Sequence, residues 1–267
     1  MARLLQPSRF ITLALAMILG IAINTPVPGQ AQLRSSSLRD KLEDAFRPPD
    51  TTATPQDRQG AASRGGQGAG TGGECQAEKP PILLVPANGG RTIAEHPTVF
   101  WYMPSTSALS LEFVLQDDSD NVVYSTQYEL AKSTKGGASA AGLMSLTIPA
   151  SASVAPLKIG QTYHWSLALI CDALNRSKDT VVEGEIKRVA PNPTLALKLQ
   201  QATPQERIAL YADNQLWYET VKALVELRRD RPNDVNLADA WNTLLNSVGL
   251  GTIVQEPLFQ DAVSINN

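Results

Sequence analysis

Residues 157–172 read LKIGQTYHWSLALICD, and the alternation inside this run constrains the fold more than any other feature of the chain. Tyr163, Trp165, Leu167, Leu169 and Cys171 share one parity, while Thr162, His164 and Ser166 share the other. Successive side chains of a strand point to opposite faces. A period of two with large apolar groups on one side therefore demands a strand with one face on a core and the other in water.

The same text recurs on both sides of this run. ILLV at 82–85, TVFWYM at 98–103 stopped by Pro104, LEFVLQ at 111–116, VVYSTQYEL at 122–130, LMSLTI at 143–148 and VVEGEIKRV at 181–189 all read as short strands. DDSDN at 117–121 and KSTKGGASAAG supply a turn and a loop between them. About seven short strands separated by turn signals predict an all-β sandwich over residues 79–190. Tyr163 opens its strand after the turn KIGQ. With Leu157 and Gly160 it is similar to the tyrosine corner of immunoglobulin-like and fibronectin type III sandwiches, in which the hydroxyl bonds back to nearby backbone.

After Val189 the period lengthens. Thr203, Pro204 and Glu206 form a capping box with proline at the first helical position. Ile208, Tyr211 and Ala212 follow at helical spacing. Trp217, Val221, Leu224 and Val225 predict a second helix ended by Pro232. Leu237, Trp241, Leu244, Leu245 and Val248 predict a third, with Gly249 at its end. The stretch from Ala209 to Asp234 resembles part of a tetratricopeptide repeat, but one copy is not an array. The expected class is mainly β with α: an immunoglobulin-like sandwich followed by a small helical subdomain over 195–267, packed on the sandwich or separate from it.

The N-terminal quarter reads differently. Arg3 and Arg9 precede the apolar run Phe10–Ile23, whose fourteen residues fall short of the roughly 20 that span a bilayer. Residues 1–31 read as a cleaved signal peptide. Residues 32–78, rich in Gly, Pro, Ser and Gln, read as a disordered linker. The exception is SLRDKLEDAF, where Leu38, Leu42 and Phe46 could share one helix face. Losing Arg3 and Arg9 with the leader takes Lys+Arg from 23 to 21 against 26 Asp+Glu, so the net charge moves from −3 to −5. That charge repels phosphate backbones, and nucleic acid is not expected as a partner. No second apolar run is long enough to span a membrane. Cys75 and Cys171 are the two cysteines of the chain, and an even count in an exported protein predicts a disulfide.

The chemical inventory is thin. No G-x-S-x-G or phosphate-loop pattern is present, and no catalytic, cofactor or metal residues are assigned. Strand parity puts His164 with Glu112, Glu183 and Glu185 on the outer sheet face, a combination that could serve acid–base or metal chemistry but reads more simply as a solvated surface. His96 follows Glu95 just before a strand. Trp101 and Tyr102 lie on a strand apolar on both faces. They are the aromatics a glycan-binding surface could use, whereas Trp165, Trp217 and Trp241 fall on apolar faces.

Several segments together resemble an exported cyanobacterial family catalogued only as a domain of unknown function. They are GGECQAEKPPILLVPANGGRTIAEHPTVFWYMP, LEFVLQD, LKIGQTYHWSLALICD, RIALYADNQLWYETVKALVELR and LLNSVGL, covering roughly 74–257. The resemblance implies an exported protein and carries no catalytic residues across. The expected function is that of a non-catalytic protein of the periplasm, cell surface or envelope, a structural module or one that binds another envelope protein, with glycan binding as the alternative.

Overall fold

The computed structural model describes residues 38–47, 80–130 and 141–257. Among the described residues eight strands form two sheets, and five α-helices pack with them. The strands are β1 (Ile82–Leu83), β2 (Gly90–Thr92), β3 (Thr98–Met103), β4 (Ser110–Asp117), β5 (Val122–Glu129), β6 (Gly142–Thr147), β7 (Thr162–Ile170) and β8 (Thr180–Arg188). One sheet has the order β1-β3-β6, the other β2-β8-β7-β4-β5. Every pairing is antiparallel except that of β2 with β8.

The alternation in β7 is realised from Thr162 to Leu167, after which Ala168 and Ile170, on the other parity, are buried as well. Tyr163, Trp165, Leu167 and Leu169 are buried and His164 is exposed. Leu115 lies opposite Trp165 on β4, and Phe113 stacks at a tilt on the Trp165 ring with centroids 5.9 Å apart. At the outer edge β5 buries no residue fully and leaves Val122 60% exposed. β3 is buried along its whole length. It has sheet neighbours on both sides and also contacts one of the helices.

The helices are α1 (38–46), α2 (Pro193–Gln201), α3 (Pro204–Asp213), α4 (Trp217–Asp230) and α5 (Val235–Ser247). The capping box of α3 is formed: the Glu206 N–H donates to Thr203 Oγ1, and Glu206 Oε2 accepts from the Thr203 N–H. All the apolar positions that predict α4 and α5 are buried. α2 was not expected as a helix of its own. Its start is marked by Asn192, which accepts from the Thr194 N–H, and by Pro193 at the first position. It buries only Leu195, so it carries almost no apolar periodicity.

One expectation needs correction. Within the 32–78 linker, 38–46 is a helix with a buried face; the other residues of that segment, and the predicted signal peptide, lie outside the described residues. Leu38 and Leu42 are buried, and the Phe46 ring meets Trp217 edge-on at 5.0 Å. Burial against the helices supplies what a nine-residue helix lacks alone. The helices of 195–267 pack against the sheets, one of the two placements the sequence leaves open. Trp217 Nε1 donates to the Leu84 carbonyl at 2.8 Å, Trp165 Nε1 donates to the Tyr218 hydroxyl at 3.2 Å, and that hydroxyl donates to the Glu185 carbonyl at 2.8 Å. Gly90 is required by this docking, since a Cβ there would lie 2.6 Å from the Tyr218 ring. One continuous apolar cluster runs from Leu38 through both sheets to Ile253.

Candidate functional site

The docking of α4 on β2 and β3 leaves a concave junction between the 93–97 loop and helices α3 and α4. Glu219, in the first turn of α4, ties the junction together. Its Oε1 accepts from Thr92 Oγ1 at 2.5 Å, from the Ile93 N–H at 3.0 Å and from the Ala94 N–H at 3.2 Å. The Ala94 N–H also donates to Thr92 Oγ1 at 3.0 Å. The other carboxyl oxygen, Oε2, is buried and has no hydrogen-bond partner. Burial pushes the Glu219 carboxyl above its ordinary value, against the opposing pull of these bonds.

A cavity of about 420 Å³ opens here, lined among others by His96, Arg207, Tyr211, Glu219, Lys222 and Glu226. Nδ1 of His96 is likewise buried without a partner. The Tyr211 phenol is pushed up by burial first and then by the nearby Glu219 carboxylate. Tyr218, on the same wall, is pushed up by complete burial. A preformed concavity with convergent polar groups is what small recognition sites look like.

The residues singled out from sequence lie elsewhere. His164 and Glu185 face each other across β7 and β8, with Nδ1 and Oε1 3.6 Å apart, both about half exposed. Glu183 is exposed opposite Ser166, and Glu112 is engaged by Arg176 at 2.7 Å. The four therefore share a sheet face without converging. Among the described residues no group of three or more His, Cys, Asp or Glu side chains is placed to hold a metal. Trp101 and Tyr102 are 1% and 9% exposed. That corrects their reading as a binding surface, because β3 is interior. Glu95 does not partner His96; it accepts from Arg188 Nη2 at 3.0 Å.

At the turn before β7 the Tyr163 hydroxyl accepts from the Lys158 N–H at 2.8 Å and donates to Gln161 Oε1 at 3.2 Å. Leu157 is buried, and Gly160 has φ +85°, where glycine is favoured. Arg188, itself buried, donates through Nη1 to the Leu157 carbonyl. Cys171 is buried just beyond β7, and no cysteine among the described residues is free. Cys75 lies outside the described residues.

The family described as Domain of Unknown Function (DUF928) matches residues 59–258. The chain belongs to that family. The match takes in both sheets, helices α2 to α5 and the whole junction, so the Glu219 cavity lies inside the DUF928 region. No curated protein matches the chain. Among the described residues of this DUF928 protein no helix is long and apolar enough to cross a membrane.

Sequence reasoning passed over Glu219 and Arg188. Each is a charged residue beside apolar ones in a regular element, and its partners are far away along the chain.

Proposed function

We propose that this DUF928 protein is an exported, non-catalytic envelope module that binds another protein, with the junction between sheets and helices as its binding surface. The observation that carries this reading is the fixed concavity at Glu219. It is built where two kinds of structure meet and is held open by a hydrogen-bonded loop. Junctions of this kind favour ligand sites.

The architecture we infer is an immunoglobulin-like sandwich carrying a tetratricopeptide-like helical unit. The strand orders support it. With the strands lettered A, A′, B, C, C′, E, F and G along the chain, the sheets read A-B-E and A′-G-F-C-C′, as in that class of sandwich. The tyrosine bonded back to Lys158 lies at the corner before strand F. Such folds host many functions, so the site and not the fold carries the argument. The glycan alternative is left without the aromatic platform it needs at Trp101 and Tyr102.

Site-specific photo-crosslinking in the intact envelope tests the reading. A photoreactive residue at the exposed rim position Glu226 should yield a discrete adduct to another protein, and one at the exposed edge position Val122 should not. Adducts to glycan alone, or equal adducts to that protein at both positions, overturn it.

A further inference from the structure

The edge of a sheet carries a row of unpaired N–H and C=O groups, and proteins blunt such edges with short strands, covering elements, prolines or charges. Three of the four edges of the two sheets are treated in this way. β1 has two residues, and β2, three residues long, lies against α4. On β6 the Leu143 N–H already donates to the Pro257 carbonyl at 3.0 Å. β5 is the exception. It has eight residues, VVYSTQYE, with no proline, no basic residue and one acidic group, Glu129, at its end. Among the described residues no strand pairs with its outer side.

The register fixes what that side offers. The Leu130 N–H donates to the Leu109 carbonyl at 3.1 Å, one step beyond the Ser110–Glu129 pair. Hydrogen-bonded pairs alternate along an antiparallel ladder. Tyr128, Thr126 and Tyr124 therefore bond to β4, and the N–H and C=O groups of Ser125, Gln127 and Glu129 point outward. The register shift of this pair lies at the start of β5 and leaves Tyr124–Glu129 regular. Tyr124, Thr126 and Tyr128 stand opposite Leu115, Phe113 and Leu111. Those three are completely buried, whereas the β5 residues are only partly buried. Apolar ring surface thus runs out to the open edge.

We propose that β5 pairs antiparallel with β5 of a second copy of this chain, about a two-fold axis at Thr126. Opposite residues of an antiparallel pair share a face. A two-fold pairing that keeps both partly buried faces on one side therefore has its axis at a residue and not between two, and Thr126 is the one that keeps the whole strand in register. Ser125 and Gln127 of one copy then exchange backbone hydrogen bonds with Gln127 and Ser125 of the other. Tyr124 falls opposite Tyr128 of the second copy, so the ring surface continues across the edge, and aromatic cross-strand pairs are favourable. Glu129 meets Val123 of the second copy and not another carboxylate. The five-stranded sheet β2-β8-β7-β4-β5 runs on into its copy in reverse order. Thr92 of β2 lines the junction cavity, so the dimer carries one cavity at each outer end of the joined sheet. This interface goes beyond the protein-binding reading and does not depend on it.

Sedimentation velocity of the mature chain tests this. The expected result is a reversible dimer with a Kd of about 100 µM or tighter. Thr126→Lys sets two like charges opposite each other on the axis and should weaken the dimer about fivefold or more. Cysteine crosslinking under mild oxidation reads the register, with the wild-type chain as baseline. Thr126→Cys faces its own copy in a pair whose Cα atoms lie about 4.5 Å apart, within disulfide reach, and should give a covalent dimer. Glu129→Cys lies six residues, about 20 Å, from its own copy and should not. A chain that stays monomeric up to about 1 mM gives the edge to another segment or to a foreign strand and overturns the proposal. A dimer indifferent to Thr126→Lys, or equal crosslinking at both cysteine positions, places the interface elsewhere and overturns it too. The wild-type sedimentation and the cysteine variants decide even if Thr126→Lys folds poorly. In the photo-crosslinking experiment Val122 then joins two copies of this chain and not a foreign protein. A Glu226 adduct from a monomer leaves the protein-binding reading standing without the dimer, and a dimer without that adduct does the reverse.

Discussion

Glu219 and Tyr163 hold one loop each, and only one of them could be read from the sequence. Tyr163 bonds to a backbone amide five residues away, so its corner is a local pattern visible in LKIGQTY. Glu219 reaches amides 125 and 126 residues away, and Arg188 reaches Glu95 across 93. Neither spacing leaves any periodic trace. The loss of Glu219 has a defined consequence. Glu219→Ala strands Thr92 Oγ1 and the Ile93 N–H, at a cost of about 2–4 kcal/mol. Glu219→Gln keeps an oxygen acceptor there and should cost far less; thermal denaturation of both variants measures the difference. The pH dependence has a sign. The folded-state pKa is raised above its ordinary 4.5, so the folded chain holds this proton more tightly than the unfolded chain. The contribution is present at low pH and fades as pH rises from 4.5 through the raised value. The stability of Glu219→Gln relative to wild type should therefore improve as pH rises through that window. A relative stability that falls instead would mean the carboxylate is the form the fold prefers.

At the scale of elements, the legible ones each had a continuous period. Strand β3 reads as a continuous apolar run and β4 to β8 alternate, while helices α3 to α5 carry apolar residues at three- and four-residue spacing, with side-chain caps at the starts of α3 and α5. The elements passed over lack that signal. β2 is three residues long and pairs in parallel with β8, so neither its length nor its pattern marks it. α2 buries a single residue. α1 has the right spacing, but a nine-residue helix is too short to declare itself without the surface it docks on. That surface can be tested. Leu42 is fully buried, and Leu42→Ala should cost about 2–5 kcal/mol if α1 is an integral part of the folded unit. Denaturant unfolding of the mature chain would show it as a lowered midpoint at an unchanged slope. A midpoint that does not move would mean that α1 leaves the surface in solution.

At the scale of the whole molecule, two kinds of linkage bear on stability. The first is covalent. A Cys75–Cys171 bond would close a loop of about 97 residues, worth roughly 4–5 kcal/mol in the chain-entropy model. Protein made in an oxidising compartment should contain no titratable thiol before reduction and should melt lower after it; two titratable thiols in the unreduced protein would exclude the bond. The second is the shared core. Sequence periodicity separates a β region from an α region because each has its own repeat, and it is silent on whether their apolar faces meet. Here they do meet. Trp217 and Tyr218 belong to a helix, yet their polar atoms are satisfied by Leu84, Glu185 and Trp165 of the β region. Ending the chain at Val189 would remove those partners and bare the Gly90 surface that lies against Tyr218. Such a truncation should fail to fold, and the intact chain should unfold in one transition. Calorimetry at fixed redox state decides this through the ratio of van't Hoff to calorimetric enthalpy, which two-state unfolding holds near one. Two resolved transitions, or a truncated chain with a melt of its own, would mean that the interface only joins two units. In that case the Glu219 cavity would be a gap between movable bodies instead of a fixed pocket.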